Sequence, residues 1–359
     1  MDLARTVAAF GAIAAGSAIC PEYADAAVRR AEFSVASEPG VEVAVREVVD
    51  GDARPAEAPP LILVHGARVP GLASFDLPVP GGSLAEDLAR KGHRVYVMDV
   101  RGYGRSTRPA AMTAPPAGER PLVNSHEAVR DIDAVVRSIA ARTGSQQVAL
   151  LGWATGGQWA GMYASLHPER ISHLVLLNAL YGGIDGHAML GRGTDMEDPR
   201  RPGQFNANVV GAYRLNPAAS LLPVWDRTIP VENKATWRDP LVAEAYVREA
   251  LASDPSSSTR SPPTFRSPSG ALEDSFYMAT GRQLWDAGSI TARVLIVRGE
   301  RDFWSRAEDV VRLESHLAQA ASVAVVSMAE ATHFVHLDRA EHGRDQLLAE
   351  VDALLRSGP

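Results

Sequence analysis

The sequence has little of several residue types, and each shortage excludes a class of protein. Its 359 residues include a single cysteine, Cys20, which excludes an internal disulfide and a cysteine-based metal cluster. No apolar stretch approaches the length of a transmembrane helix. The net charge of −7 leaves no basic surface for nucleic acid. With a hydrophobic content of 46%, the composition is that of an ordinary globular protein that does not bind nucleic acid and does not span a membrane.

Sequence motifs for cofactors are missing as well. The chain has no Gly-x-Gly-x-x-Gly run and no Gly-Lys-Ser/Thr run, which are the loops that cradle nucleotide phosphates. No two histidines have the His-x-x-x-His spacing that would place both on one face of a helix, and His333 and His336 are three residues apart. We therefore predict no cofactor and no metal.

The N-terminal residues permit two interpretations. Thr6 to Ile19 is apolar and rich in alanine behind Arg5, as in a signal peptide. However, Asp2 spoils the positive region that a signal peptide requires, and Ile19 is too large for the position before a lipoprotein cysteine. We predict a helical segment over residues 1–31 and a cytoplasmic protein. An exported precursor, with residues 1–27 as a weak signal peptide, is the alternative.

The rest of the chain alternates strand and helix patterns around one long interruption. Residues 32–37 and 41–49 alternate apolar and polar side chains about Glu38-Pro39-Gly40, which predicts an antiparallel hairpin. Short apolar runs then end at Val64, Met98, Leu151, Leu177 and Val297, with helical patterns between most of them. This predicts an α/β protein with a doubly wound, mostly parallel sheet built from residues 32–180 and 290–359. Residues 181–289 break the alternation and are predicted to form an inserted, mainly helical cap.

The most informative stretch follows the run that ends at Leu151. Gly152-Trp153-Ala154-Thr155-Gly156 has the spacing of a nucleophile elbow, a sharp strand-to-helix turn whose pattern is Gly-x-Ser-x-Gly. Small residues follow at helical spacing, as such a turn requires. The central position, where a serine is expected, holds Ala154.

Two further segments complete the pattern, and with the elbow they resemble the α/β-hydrolase fold, in a lidded branch of serine esterases and lactonases. Asp302 follows a late strand and His333 follows the last one, which is the family's chain order of nucleophile, acid and base. The resemblance implies that Ala154 occupies the nucleophile position, and that Ala67 and Thr155 supply the oxyanion hole. Asp185 and His336 are the competing candidates for the acid and the base.

These residue types suit hydrolysis of an ester. A hydroxyl needs a base to take its proton as it attacks, and imidazole titrates near neutral pH. A carboxylate on the far ring nitrogen fixes the imidazole tautomer. Three explanations of Ala154 stay open: an engineered replacement of serine, a natural binding protein on the hydrolase fold, or a parent aspartate or cysteine. The intact Asp302 and His333 favour the first.

The substrate is expected to be a fairly large, hydrophobic or aromatic ester or lactone. Trp153, Arg68, Trp304 and Tyr181 are the candidate substrate-binding residues. The cap contributes many further aromatic side chains, most of them expected in its core: Phe205, Tyr213, Trp225, Trp237, Tyr246, Phe276, Tyr277 and Trp285. Amide hydrolysis, C–C bond hydrolysis and acyl transfer use the same triad and are the alternatives. The only partner predicted is this small molecule, and the oligomeric state is left open.

Overall fold

A computed structural model of the protein describes residues 28–51 and 58–358. Most of the predicted N-terminal helical segment, including Cys20 and the alternative signal peptide, lies outside these residues. The helical prediction is wrong for residues 28–31, which form the start of a β-strand. They pair with residues 47–50 of the next strand, from Val28 opposite Asp50 to Ala31 opposite Glu47. The hairpin therefore begins four residues before the alternating segment that predicted it.

The described residues form ten strands, eight of which make one sheet in the order β1-β2-β4-β3-β5-β6-β9-β10. The ten strands are β1 Val28–Glu38, β2 Val41–Asp50, β3 Leu61–Val64, β4 Val95–Met98, β5 Val148–Trp153, β6 Ile171–Leu177, β7 Tyr213–Pro217, β8 Thr264–Pro268, β9 Arg293–Arg301 and β10 Ser322–Thr332. Within the eight-stranded sheet, only the pairings of β1 with β2 and of β2 with β4 are antiparallel. The prediction of a mostly parallel sheet is confirmed, and the five predicted buried strands are neighbours in it.

Helices cover both faces of the sheet, which is why its central strands are buried on both sides. The described residues contain ten α-helices: α1 Gly71–Phe75, α2 Leu84–Arg90, α3 Ser125–Thr143, α4 Thr155–Leu166, α5 Ala207–Val210, α6 Leu222–Asp226, α7 Pro240–Ala252, α8 Gly270–Ala279, α9 Ala307–His316 and α10 Arg344–Arg356. The side chains of α3, α4 and α9 pack in one apolar cluster, and those of α2 and α10 pack in another.

Residues 181–289 leave the parallel sheet and return to it at β9. They hold the short helices α5 to α8 and a separate two-stranded antiparallel ladder of β7 and β8. Residues 239–253 have helical periodicity, and they form α7, with Asp239 accepting from Leu241 N as its N-cap. Residues 253–270 are rich in serine and proline, a composition typical of irregular structure, yet they include β8, whose strand partner lies about 50 residues earlier in the chain.

Candidate active site

The turn between β5 and α4 has the backbone that a nucleophile elbow requires. Ala154 has φ 54° and ψ −118°, a conformation that residues other than glycine rarely adopt. Such a residue costs about 1–3 kcal/mol and persists only where its surroundings hold it in place. The flanking glycines provide that support, since a Cβ on Gly152 would overlap the backbone of Gly156, and one on Gly156 would overlap the carbonyl of Val64. Ala154 therefore sits at the raised apex of the turn.

The loop after β3 lies directly against this apex. A Cβ placed on Gly66 would be 3.5 Å from the Cβ of Ala154. The next carbonyl, that of Ala67, accepts hydrogen bonds from the Tyr103 hydroxyl at 2.9 Å and from Arg214 Nη2 at 2.8 Å, which fix the loop. Ala67 and Thr155 line one cavity. Among the described residues, neither N–H donates to a backbone carbonyl of a turn or loop. Their placement suits two donors to an oxyanion.

His65 explains why the loop keeps its shape. Its Nε2 accepts from Val100 N at 3.0 Å, and its ring is buried against Tyr103 and Trp159. Burial lowers the pKa of His65, so the ring stays neutral and keeps the lone pair that this hydrogen bond uses. His65 is thus a structural residue of the loop rather than a base.

Asp302 and His333 form a buried pair at the same edge of the sheet. His333 Nδ1 lies 2.6 Å from Asp302 Oδ1. The other Asp302 oxygen accepts from Ser305 N at 2.7 Å and from Ser305 Oγ at 2.5 Å. Burial alone would raise the pKa of Asp302, but the charge and hydrogen bond of His333 and the donors from Ser305 lower it below its ordinary value. Asp302 therefore stays ionised and holds the Nδ1–H tautomer of His333, which leaves Nε2 for the cavity.

The backbone of His333 is held by two side chains that sequence reasoning did not single out for this purpose. Asn178 Nδ2 donates to the carbonyls of Thr332 and His333 at 3.2 Å each, while its Oδ1 accepts from Gly299 N at 2.8 Å. Trp153 Nε1 donates to the His333 carbonyl at 2.9 Å. In the sequence, Asn178 is a polar residue directly after a buried apolar strand, and this is the signal that could have pointed to it. In the structure it adopts φ 50°.

The competing candidates for the acid and the base, Asp185 and His336, do not line the cavity beside Ala154. Asp185 is exposed and forms a surface ion pair with Arg192 at 3.0 Å. His336 is fully buried between Trp153 and Phe75, and burial, followed by the charges of His333 and Arg344, lowers its pKa well below the ordinary value. Neither residue contacts the cavity beside Ala154.

The cavity beside Ala154 has a volume of about 250 Å³ and brings together the sheet edge and the insertion. Of the predicted substrate-binding residues, Trp153, Arg68 and Trp304 line it. The prediction for Tyr181 disagrees with the structure, because its hydroxyl is tied to His316 Nδ1 at 2.8 Å and to Ala287 N at 3.1 Å, away from the cavity. A second cavity of about 310 Å³, beside β1 and β2, contains none of the predicted site residues.

Sequence reasoning missed the polar residues that the insertion adds to this cavity. Arg214 and Asn216 come from β7, and Arg227 follows α6. Of the eight cap aromatics only Tyr246 lines the cavity. Several of the others pack against the rest of the chain and not inside the cap, where most were expected: Trp225 stacks on Phe334, and Trp237 stacks on His342. Among the residues that the structure describes, no cluster of three potential metal ligands occurs. No helix in that part of the chain is long and apolar enough to cross a membrane.

Ala154, Ala67, Thr155 and His333 thus line one cavity, and Asp302 holds the His333 ring from behind. A model of the alpha/beta hydrolase fold matches residues 59–340, which is more than half of the chain. The chain belongs to the alpha/beta hydrolase fold family.

Curated relatives match this chain over limited stretches. The human (Lyso)-N-acylphosphatidylethanolamine lipase is 30% identical over 119 residues, which is 33% of this chain and 30% of that protein. The 1-acylglycerol-3-phosphate O-acyltransferase ABHD5 of Sus scrofa is 34% identical over 118 residues, 33% of this chain and 29% of that protein. The chain thus spans about a third of the length of these relatives, and 22% of a nematode relative.

A solved structure extends the likeness across the whole fold. The enol-lactonase from Burkholderia xenovorans LB400 superposes with a TM-score of 0.56 at 16% identity. The superposition covers 89% of this chain and 99% of that one. At this identity the likeness concerns the fold alone.

Proposed function

We propose that this site is built for hydrolysis of a carboxylic ester or lactone through an Asp302–His333 pair, and that Ala154 holds the place of the nucleophilic serine. The observation that carries the proposal is the 2.6 Å contact of Asp302 with His333 at the cavity that Ala154 and the two oxyanion donors also line. A protein that only binds ligand has no chemical need for this charge-assisted hydrogen bond. The name of the lipase relative belongs to the same reaction class.

In its present form the chain is expected to bind the ester without forming an acyl-enzyme. The missing oxygen closes the covalent route, while the two oxyanion donors still support a small rate over water. The walls are largely apolar, which suits the body of an ester. The volume of about 250 Å³ favours a smaller substrate than the number of cap aromatics implied, because only Tyr246 of those rings lines the cavity.

The decisive experiment is the Ala154→Ser variant. Serine adds one oxygen to the same Cβ, so the elbow backbone and the His333 orientation should survive. We expect the variant to hydrolyse short 4-nitrophenyl esters and to be labelled by a fluorophosphonate. The present chain is the matched control, because it contains every other serine of the variant.

A second candidate is a ligand-binding protein without catalysis, and Ala154 itself favours it. A folded Ala154→Ser variant that takes up no label and turns over no member of an ester and lactone panel would establish that reading instead. Acyl transfer, as in the name of the ABHD5 relative, and amide or C–C bond hydrolysis remain alternatives within the first candidate. Product analysis of the active variant with alcohols, amides and β-diketones distinguishes them.

A further inference from the structure

Three arginines from different parts of the chain line the cavity beside Ala154. Arg68 follows the oxyanion residue Ala67, Arg214 lies in β7, and Arg227 follows α6. No aspartate or glutamate among the described residues lines this cavity. The cavity therefore carries a local excess of positive charge in a protein whose net charge is −7.

The three guanidinium groups interact with neutral groups only, in the part of the chain that the structure describes. Arg68 donates to Asn216 Oδ1 at 3.3 Å and to the Ser220 carbonyl at 3.1 Å. Arg214 donates to the Ala67 carbonyl at 2.8 Å, and its buried Nε has no acceptor. Arg227 lies 4.0 Å from the centre of the Phe303 ring.

Two largely buried arginines outside the cavity are paired with carboxylates. Arg101 contacts Asp131 at 2.6 Å, and Arg266 contacts Asp254 at 2.7 Å. Arg101 lies after β4 and Arg266 lies in β8, and neither lines the cavity. Among the described residues, Arg68 and Arg214 lack the carboxylate partner that stabilises Arg101 and Arg266.

The electrostatics show what this arrangement costs. Burial lowers the pKa of Arg68 and lowers that of Arg214 to about 10, so both groups are still charged near neutral pH. Burial also lowers the pKa of Arg227, and the charge of Arg68 lowers the pKa of Arg214 and of Arg227 further, so Arg68 repels each of the other two groups. Desolvated like charges without counter-ions are unfavourable, and an anion among them would relieve both the repulsion and the missing hydrogen bonds.

We infer that the cavity binds an ester that carries an anionic group, a carboxylate or a phosphate, against Arg68, Arg214 and Arg227. The inference names the substrate class for the same site, and its ester part rests on the proposed function. Met189, Val224 and Leu272 supply apolar walls for a short linker between the anionic group and the ester. The substrate is a compact, negatively charged ester rather than a large neutral one.

The first test measures binding to the present chain, which needs no catalysis. The probes are monomethyl adipate, which has a free carboxylate, and dimethyl adipate, which differs from it only by a methyl group on that carboxylate. Calorimetric titration is expected to show at least about tenfold tighter binding of the monoester, since hydrogen bonds to a charged group are the stronger kind. Equal affinity for the two esters would overturn the inference. Methyl 4-phosphonobutanoate is the third probe, and tighter binding of this ester or of the monoester identifies the anion.

Two arginine variants test the assignment to named side chains. Arg227→Gln changes an exposed side chain and should fold normally, whereas Arg68→Gln also removes contacts to the cap. Each is expected to lower the ratio of monoester to diester affinity by about tenfold. The matched control is Arg248→Gln, an exposed arginine of α7 outside the cavity, which should leave the ratio unchanged.

A second readout separates an anion site from a general electrostatic role. In the Ala154→Ser background, kcat/KM is measured for the same two esters with and without Arg227→Gln. A selective loss for the monoester supports the inference, while an equal loss for both esters assigns the arginine to oxyanion stabilisation or to folding and overturns it. If Ala154→Ser is inert but the monoester still binds selectively, the proposed function fails and the anion site stands.

Discussion

The carboxyl edge of the sheet and the insertion that covers it are held together in different ways. At the sheet edge, backbone geometry fixes each reactive position: Ala154 by the glycines around it, and Asp302 by amide and hydroxyl donors from residues two and three positions along the chain. The insertion, in contrast, is held by contacts between side chains that are distant in sequence. Arg68 of the loop after β3, for example, donates to Asn216 and Ser220 of the insertion. In the proposed function, the first region carries the chemistry and the second region selects the substrate.

This difference teaches how each region responds to substitution. A reactive group placed by backbone sterics keeps its position when one side chain changes, which is why Ala can stand at residue 154 without collapse of the elbow. A cavity wall assembled from distant side chains changes its charge and shape with single substitutions. Chemistry is thus the robust property of this fold, and selectivity is the adjustable one.

The largest effect is expected when the chemistry itself is broken. In the Ala154→Ser background, Asp302→Asn should lower kcat by about 10⁴-fold with little change in KM, because the amide no longer enforces the Nδ1–H tautomer of His333. The measurement is the steady-state hydrolysis of a 4-nitrophenyl ester. Asp185→Asn, which removes the competing but exposed carboxylate, is the matched control and should leave kcat unchanged. A large loss in Asp185→Asn instead would reassign the acid.

A smaller effect is expected when the backbone support of the elbow is removed. Gly156→Ala adds a methyl group that would overlap the carbonyl oxygens of Val64 and His65, and backbone cannot give way as a flexible side chain can. We expect a loss of about 3 kcal/mol in the free energy of unfolding, measured by urea denaturation. Gly288→Ala is the control, because its added methyl group would meet Asp286 at an ordinary contact distance of 3.4 Å. Equal stability of the two variants would show that the elbow is not sterically determined.

The sequence predicted the sheet edge more accurately than the insertion. The physical reason is that the sheet edge depends on interactions between residues close in sequence, whereas the insertion depends on interactions between distant ones. The buried strands, the elbow glycines, Asp302 and His333 are all marked by residues within a few positions of one another. The start of α3 is local in the same way, because Asn124 caps it through a capping box with Glu127, three residues later.

The insertion depends on contacts between distant residues, which no local sequence pattern indicates. Strand β8 pairs with residues about 50 positions earlier, and Arg214 and Arg227 reach the cavity only because β7 and α6 fold back over the sheet. Tyr181 comes four residues after the end of β6, near the sheet edge, yet its hydroxyl contacts His316 from α9. The expectation of a fairly large, hydrophobic or aromatic substrate rested on the number of cap aromatics, whose packing partners the sequence does not show.

The smallest effect is expected at the seam between the two regions, where Asp338 of the His333 loop accepts from Trp225 Nε1 of α6 at 2.8 Å. Burial raises the pKa of Asp338 to about 6 from 3.8, despite hydrogen bonds from Thr332 and Trp225 that act in the opposite direction. The unfolded chain therefore ionises first as pH rises, so the folded state loses stability between pH 3.8 and 6 and regains none above it.

Asp338→Asn removes this titration, and its stability relative to the parent should therefore increase with pH. From pH 4.5 to pH 7.5 we expect the difference in unfolding free energy to shift by about 2 kcal/mol in favour of the variant. Urea denaturation followed by tryptophan fluorescence at the two pH values measures it, with Glu308→Gln, an exposed carboxylate of α9, as the matched control. The shift, rather than the stability at one pH, is the informative quantity, because asparagine also gives up one acceptor at both pH values. A difference that stays constant, or that moves toward the parent as pH rises, would mean that Asp338 is ionised in the folded protein and that the seam is held by charge.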